Sequence, residues 1–96
     1  MSTAGIVKVL PFDAKLGYPQ RQRFVWNRAA YDIIYEWNQT SEMAVAKVYR
    51  VSDGELLWIS CIVQGWAGDV KDENSEILMT LWFERITTKV AEVWIF

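Results

Sequence analysis

A succession of strand-like runs separated by turns, within residues 22–64, restricts the fold of this chain more than any other feature. In one of these runs, residues 31–37, every odd position carries an aromatic or β-branched side chain. Because successive side chains of a strand point to opposite faces, this period of two separates odd from even positions. We expect the odd face, which ends at Trp37, to lie in the core. The even face, which begins at Asp32, is expected to be half exposed.

The turns between these runs complete the signature of a β-meander. Residues 27–29 form a short polar turn, and Asn38 begins a second one. Asn38 also opens an N-glycosylation pattern, but we favour a plain turn because asparagine suits that role. Asp53-Gly54 predicts a tight hairpin, since glycine accepts a positive φ. The strand after it, residues 56–63, is apolar on both faces, which indicates a central strand or one whose second face meets a partner.

The rest of the chain also favours strands. Residues 6–10 alternate and stop at a proline, as in a short edge strand. Residues 69–76 form an acidic loop, and two further strands, 77–84 and 89–96, are separated by a turn or bend. The count is six or seven strands and no helix, because alternation fits better than helical spacing. The sequence therefore predicts one all-β domain, either a small antiparallel sandwich or a partly closed barrel.

Length and composition limit the function. Residues 1–96 suffice for one domain. A hydrophobic fraction of 52% with six tryptophans is rich for a small core, so we expect some aromatic side chains at the surface or in an interface. A net charge of −2 shows no basic excess and argues against nucleic-acid binding. No apolar run approaches the ~20 residues that span a bilayer, and no signal peptide is visible, so we expect a soluble protein made in the cytoplasm without membrane contact.

Residue types that carry most catalysis are scarce. The chain has no histidine, and its one cysteine, Cys61, lies in an apolar run where we expect a small core residue. No glycine-rich phosphate loop of standard spacing occurs. The sequence does not exclude a pair of catalytic carboxylates of the glycosidase kind, although so short a chain leaves little room for a substrate cleft. The acidic loop lacks the spacing of a calcium loop. We therefore expect no enzyme, no catalytic residue, no cofactor and no metal site.

Five aromatic residues of the second half are candidates for a contact surface. By alternation, Trp58, Trp82 and Trp94 fall on the second face of their strands. Phe96 ends the chain, and Trp66 lies at the margin. An outward apolar face of this kind marks a protein interface. The alternative is a stacking platform for sugar rings or single-stranded nucleic acid. We favour the interface because no convergent polar groups accompany these aromatics.

The meander also carries a family resemblance. Its features are a strand that ends in Trp37-Asn38, the Asp53-Gly54 hairpin with Leu56 and Leu57 just after it, and a strand that ends at Gly65. On these features, over about residues 6–70, the chain resembles the small phage tail proteins known as baseplate plugs. That family takes its name from a cyanophage with a contractile tail, and similar proteins occur in prophages of other bacteria. The C-terminal third is not distinctive, and the acidic loop departs from the pattern.

The resemblance implies a structural role without catalysis. It implies a β-rich subunit near the centre of the tail baseplate, in contact with hub and neighbouring tail proteins. The expected location is then the virion, after synthesis in the cytoplasm of the bacterial host. Surplus aromatics and an apolar C-terminus are consistent with a subunit that buries much of its surface in neighbours, and we also expect a homo-oligomer.

Overall fold

The computed structural model describes residues 8–96, and within them the chain forms eight strands and no helix. The strands are β1 (Lys8–Val9), β2 (Gln20–Trp26), β3 (Ala29–Asn38), β4 (Met43–Arg50), β5 (Leu56–Ile62), β6 (Ala67–Lys71), β7 (Ile77–Ile86) and β8 (Ala91–Ile95). All of them pair antiparallel in two four-stranded sheets. The first sheet has the order β1-β8-β7-β6, and the second sheet has the order β2-β3-β4-β5. In this part of the chain no helix is long and apolar enough to cross a membrane.

The predicted all-β class is confirmed, and the two separate sheets correspond to the sandwich alternative. One strand was missed: Ala67–Lys71 forms β6, part of which was expected as an acidic loop. Its Ala-Gly-Asp-Val-Lys sequence is a poor strand former, and pairing with β7, in which Val70 lies opposite Met79, holds it extended. β7 also continues to Ile86, through the start of the expected bend. Of the predicted strand 6–10, residues 6 and 7 lie outside the described residues.

The second sheet is the predicted meander, in which each strand pairs with the next along the chain. Its first hairpin turns on Asn27 and Arg28, both with positive φ, as a two-residue turn requires. In the second turn the Asn38 side-chain oxygen accepts hydrogen bonds from the backbone amides of Thr40 and Ser41. The third connection places Gly54 at a φ of 71°, which glycine adopts without strain. The local turn residues therefore set the order of this sheet.

The core lies between the two sheets and draws on both. The odd face of β3 is buried as predicted at Tyr31, Ile33 and Tyr35, and Trp37 packs against the core at its margin. From the first sheet come the buried side chains of Val70, Met79, Leu81, Phe83, Ala91, Val93 and Ile95. The alternation along β7 and β8 thus sends odd positions inward and even positions outward.

Several expectations for the second sheet need correction. Of the two alternatives for β5, the central strand is wrong, because among the described strands β4 alone pairs with it. The other alternative, a second face that meets a partner, stays a prediction. Cys61 is exposed and not in the core, since it lies on the outer face of that edge strand. The even face of β3 is half-buried at Ile34 and Glu36 as expected, but Asp32 on the same face retains only 2% of its accessible surface.

Candidate protein interface

The outer face of the first sheet carries a row of apolar side chains that crosses all four strands. The register places Val9 opposite Trp94, Trp94 opposite Trp82, and Trp82 opposite Ala67. Residues directly opposite each other in antiparallel strands share a face, so these four side chains lie side by side. The inward position of Leu81 and Val93 shows that the row faces outward. We call Val9, Trp94, Trp82 and Ala67 the tryptophan row.

Each indole of the row is held by a glutamate two residues away on the same strand. The Trp82 indole nitrogen donates to a Glu84 carboxylate oxygen at 2.8 Å. The Trp94 indole nitrogen donates to a Glu92 carboxylate oxygen at 2.8 Å. Both tryptophans are half-buried. With their one donor satisfied, the rings present apolar surface that needs no polar partner when it is covered.

Phe96 extends the apolar surface beyond the row. Its backbone exchanges two hydrogen bonds with Thr80, at 2.8 and 3.0 Å, which continues the pairing of β8 with β7 past the last strand residue. Ile95 points into the core, so Phe96 falls on the outer face, and it is 50% exposed. Ile95 therefore belongs to the core and Phe96 to the outer apolar surface.

Trp58 points into the space between the two sheets and not onto the outer face expected for it. A Cβ atom placed on Gly68 would stand 2.9 Å from Cζ2 of Trp58, and the Trp58 and Phe83 rings lie 6.1 Å apart. Phe83 is a core residue, so Trp58 packs between the sheets, from the edge strand β5 onto β6 and β7. The structure thus brings Trp82, Trp94 and Phe96 together and leaves Trp58 out of that surface.

Trp66 is the most exposed of these aromatics, with 66% of its surface accessible. It directly precedes β6, and its carbonyl accepts a hydrogen bond of 2.9 Å from the Phe83 amide. The next residue along the chain, Ala67, is the last member of the tryptophan row. Trp66 therefore directly precedes the last member of the row in the chain and is not itself a member.

Sequence reasoning missed an ionic cluster on the outer face of the second sheet. The Asp32 carboxylate accepts from Arg21 at 2.7 and 2.9 Å and from Arg23 at 2.9 and 3.3 Å. Hydrogen bonds from Arg23 and Arg21 hold the pKa of Asp32 below its ordinary value, against the effect of burial. The signal was present in the hairpin: a two-residue turn at Asn27-Arg28 puts Arg23 directly opposite Asp32.

A shallow depression of 620 Å³ lies at the end of β3 that is next to the second turn. Its walls include the rings of Tyr18 and Trp37 and the side chains of Asn38 and Gln39. The Tyr18 hydroxyl lies 3.0 and 3.2 Å from the carbonyl oxygens of Thr87 and Val90, and burial raises its pKa to about 12. That hydroxyl is committed to the fold, so the remaining polar lining of the depression comes from Glu36, Asn38 and Gln39.

Comparison with protein families, with curated proteins and with solved structures finds no match to this chain. The two antiparallel sheets define the chain as a small antiparallel β-sandwich. Its candidate interface consists of the tryptophan row and Phe96. Within residues 8–96 no group of three or more histidine, cysteine, aspartate or glutamate side chains is placed to hold a metal ion.

Proposed function

We propose that this chain is a non-enzymatic structural subunit that works through protein–protein contacts made by the tryptophan row and Phe96. The observation that carries the proposal is the pair Trp82 and Trp94, set side by side on an outer sheet face with both indole donors satisfied. Tryptophan is the residue type that most often anchors protein interfaces. A partner that covers this face gains apolar contact area without leaving an indole nitrogen unpaired.

The assembly we propose is the baseplate of a phage or prophage tail, with other tail proteins as partners. This part of the proposal is supported by the resemblance of about residues 6–70 to baseplate plugs. The outer face of a sheet suits a neighbouring subunit better than a small ligand, which is bound in concave sites. Glu84 and Glu92 at the rim of the row would favour partners that bring basic or hydrogen-bond donor groups to its border.

The test is whether the chain is built into tails. Particles released from the bacterium that carries the gene are purified, and their proteins are quantified by mass spectrometry. We expect the chain at a fixed copy number per tail, and a marked loss of incorporation for Trp82→Ser and Trp94→Ser. Leu16→Ser is the matched control, because Leu16 is 63% exposed and lies outside the strands. Complete, infective tails that lack the chain would refute the proposal.

A second candidate function is the binding of carbohydrate at the same surface. Two neighbouring tryptophans flanked by Glu84 and Glu92 combine ring faces with hydrogen-bond acceptors, which is the chemistry that sugar rings need. The same carboxylates oppose the phosphates of single-stranded nucleic acid. Titration with oligosaccharides separates this function from the first: a saturable change of tryptophan fluorescence that Trp82→Ser abolishes would favour it.

A further inference from the structure

The edge strands of the two sheets differ in how they avoid pairing with other chains. β1 has two residues, and β6 carries Asp69 and Lys71. β2 carries Arg21 and Arg23, and the Lys8 ammonium donates to the Val25 carbonyl at 3.2 Å. Short length and charged side chains are the devices that keep a sheet edge from pairing. Among the described edge strands, β5 has neither of these two devices, and its one irregularity is a β-bulge at Leu57, near its start.

β5 is an open and uncharged edge. Its seven residues, Leu56–Ile62, include no charged residue and no proline. β4 pairs along one side of β5, and the other side has no partner strand in the described part of the chain. Ile59 is 55% exposed, Leu56 is 42% exposed, and Cys61 is exposed beside them. Alternate backbone amides and carbonyls along such an edge point away from the sheet and remain available for a further strand.

We propose that β5 pairs antiparallel with β5 of a second copy of this chain, about a two-fold axis at Ile59. Ile59 is the middle residue of the strand, so this register extends over the length of β5. The β-bulge at Leu57 then falls toward the two ends of the contact and away from the axis. It places Ile59 opposite Ile59 of the second copy, and Leu57 opposite Cys61. On the other face it places Trp58 opposite Ser60. Large side chains therefore meet small or apolar ones at every pair next to the axis, and no charges face each other.

Self-pairing fits β5 better than it fits the other long edge. The same operation on β2, centred on Arg23, would set Arg23 against Arg23 and Arg21 against Val25, and like charges that face each other across strands destabilise a pair. The β5 contact is isologous and closes on itself. It yields one continuous sheet of eight strands, and both outer edges of that sheet are β2 strands. Because β2 carries Arg21 and Arg23, these edges do not pair further and association stops at a dimer.

This inference does not rest on the proposed function, because β5 belongs to the second sheet and the tryptophan row belongs to the first. Its first test is the mass in solution across a dilution series, by sedimentation equilibrium. We expect a reversible dimer, and at least a tenfold rise of the dimer dissociation constant for Ile59→Lys. Ile77→Lys is the matched control, since Ile77 is 57% exposed but lies on β7, an interior strand of the first sheet. Circular dichroism and thermal unfolding check that both variants fold.

The second test fixes the register by crosslinking. The proposed pair puts the two Ile59 Cα atoms about 4.5–5.5 Å apart, within reach of a disulfide. Mild oxidation of the Ile59→Cys, Cys61→Ser double variant should therefore give a covalent dimer. Wild-type Cys61 should not crosslink, because its counterpart lies four residues away in this register, at about 13 Å. A monomer at all concentrations, an Ile77→Lys effect equal to that of Ile59→Lys, or crosslinking through Cys61 alone would overturn the proposal.

Discussion

Replacing Gly68 with alanine tests the position of Trp58 directly. An alanine Cβ at this position would stand 2.9 Å from Cζ2 of Trp58 and 3.6 Å from the ring of Phe83. Carbon atoms pack at about 3.5–4.0 Å, so the indole would have to move by about 0.6 Å or more. Phe83 is buried in the core and limits that movement. We expect Gly68→Ala to destabilise the fold because the site has no room for a methyl group.

The magnitude follows from two opposing effects. Inserting a methyl group into a packed site costs about 1–3 kcal/mol. Removing a glycine from a strand gains about 0.5–1 kcal/mol, because the unfolded chain loses conformational freedom. The net destabilisation of Gly68→Ala is therefore about 1 kcal/mol, which lowers the melting temperature of a domain of this size by about 4–8 °C.

A double-mutant cycle with Trp58→Leu shows whether the indole is the cause. Urea unfolding gives the free energy of unfolding for the wild type, Gly68→Ala, Trp58→Leu and the double variant. With the indole removed, Gly68→Ala should become neutral or stabilising, and the coupling energy between the two sites should reach about 1–2 kcal/mol. A coupling energy near zero would refute the placement of Trp58 between the sheets.

The remaining predictions concern the ionic cluster, the core and the tryptophan row. Asp32→Asn should lower the free energy of unfolding by about 1–2 kcal/mol at pH 7, through loss of charge-assisted hydrogen bonds. Because the pKa of Asp32 is depressed in the folded protein, its contribution is present above the ordinary value of 3.8 and is lost as the pH falls through the folded pKa. Urea unfolding at pH 7 and pH 2 should therefore show the difference between Asp32→Asn and wild type shrinking in acid. Tyr35→Phe should raise stability by about 1 kcal/mol in the same assay, since the buried Tyr35 hydroxyl has no hydrogen-bond partner among the described residues. Trp94→Ala should weaken assembly but keep a cooperative thermal transition, whereas Trp58→Ala should cost about 3 kcal/mol or more; unfolding of the Trp94 variant would place that side chain in the core.

The parts of the fold that could be predicted have local causes. The odd positions of β3 from Tyr31 to Trp37 all carry large apolar or aromatic side chains. Their common burial therefore follows from the period of a strand. Gly54 and Asn38 fix their turns through backbone freedom and side-chain hydrogen bonds that involve only nearby residues. These signals do not depend on which strands later meet across the sandwich.

The parts that failed depend on contacts between distant residues. In β5 both faces are apolar, so alternation separates Trp58 from Ile59 without indicating which of them points inward. The inward positions are even in β5 and odd in β7, and no local signal reports this change. Grouping Trp58 with Trp82 by strand face therefore failed. β6 likewise owes its extended form to β7, which its own sequence does not specify.

Part of the candidate interface could also be predicted from alternation along a strand. Trp94 and Phe96 alternate with Val93 and Ile95 at the end of the chain, so their common face follows from the sequence. That this face is outward is known only from the structure, in which Val93 and Ile95 are buried in the core. The pairing of Asp32 with Arg23 could have been predicted from the hairpin sequence. A two-residue turn at Asn27-Arg28 fixes the register, and the register places these two residues opposite each other.

The two proposed contacts reinforce each other geometrically. A two-fold axis that pairs β5 with its copy stands perpendicular to the joined sheet, because antiparallel partners keep their side chains on the same faces. The first sheets of both copies then lie on one side of that joined sheet, and both tryptophan rows face the same direction. A dimer would thus present two equivalent apolar surfaces to a symmetric assembly, and the second would bind at a high effective concentration once the first is bound. Ile59→Lys should therefore weaken incorporation into an assembly with two matching sites, although Ile59 touches neither row. If Ile59→Lys abolishes the dimer and leaves incorporation unchanged, the rows act singly and the dimer serves another purpose.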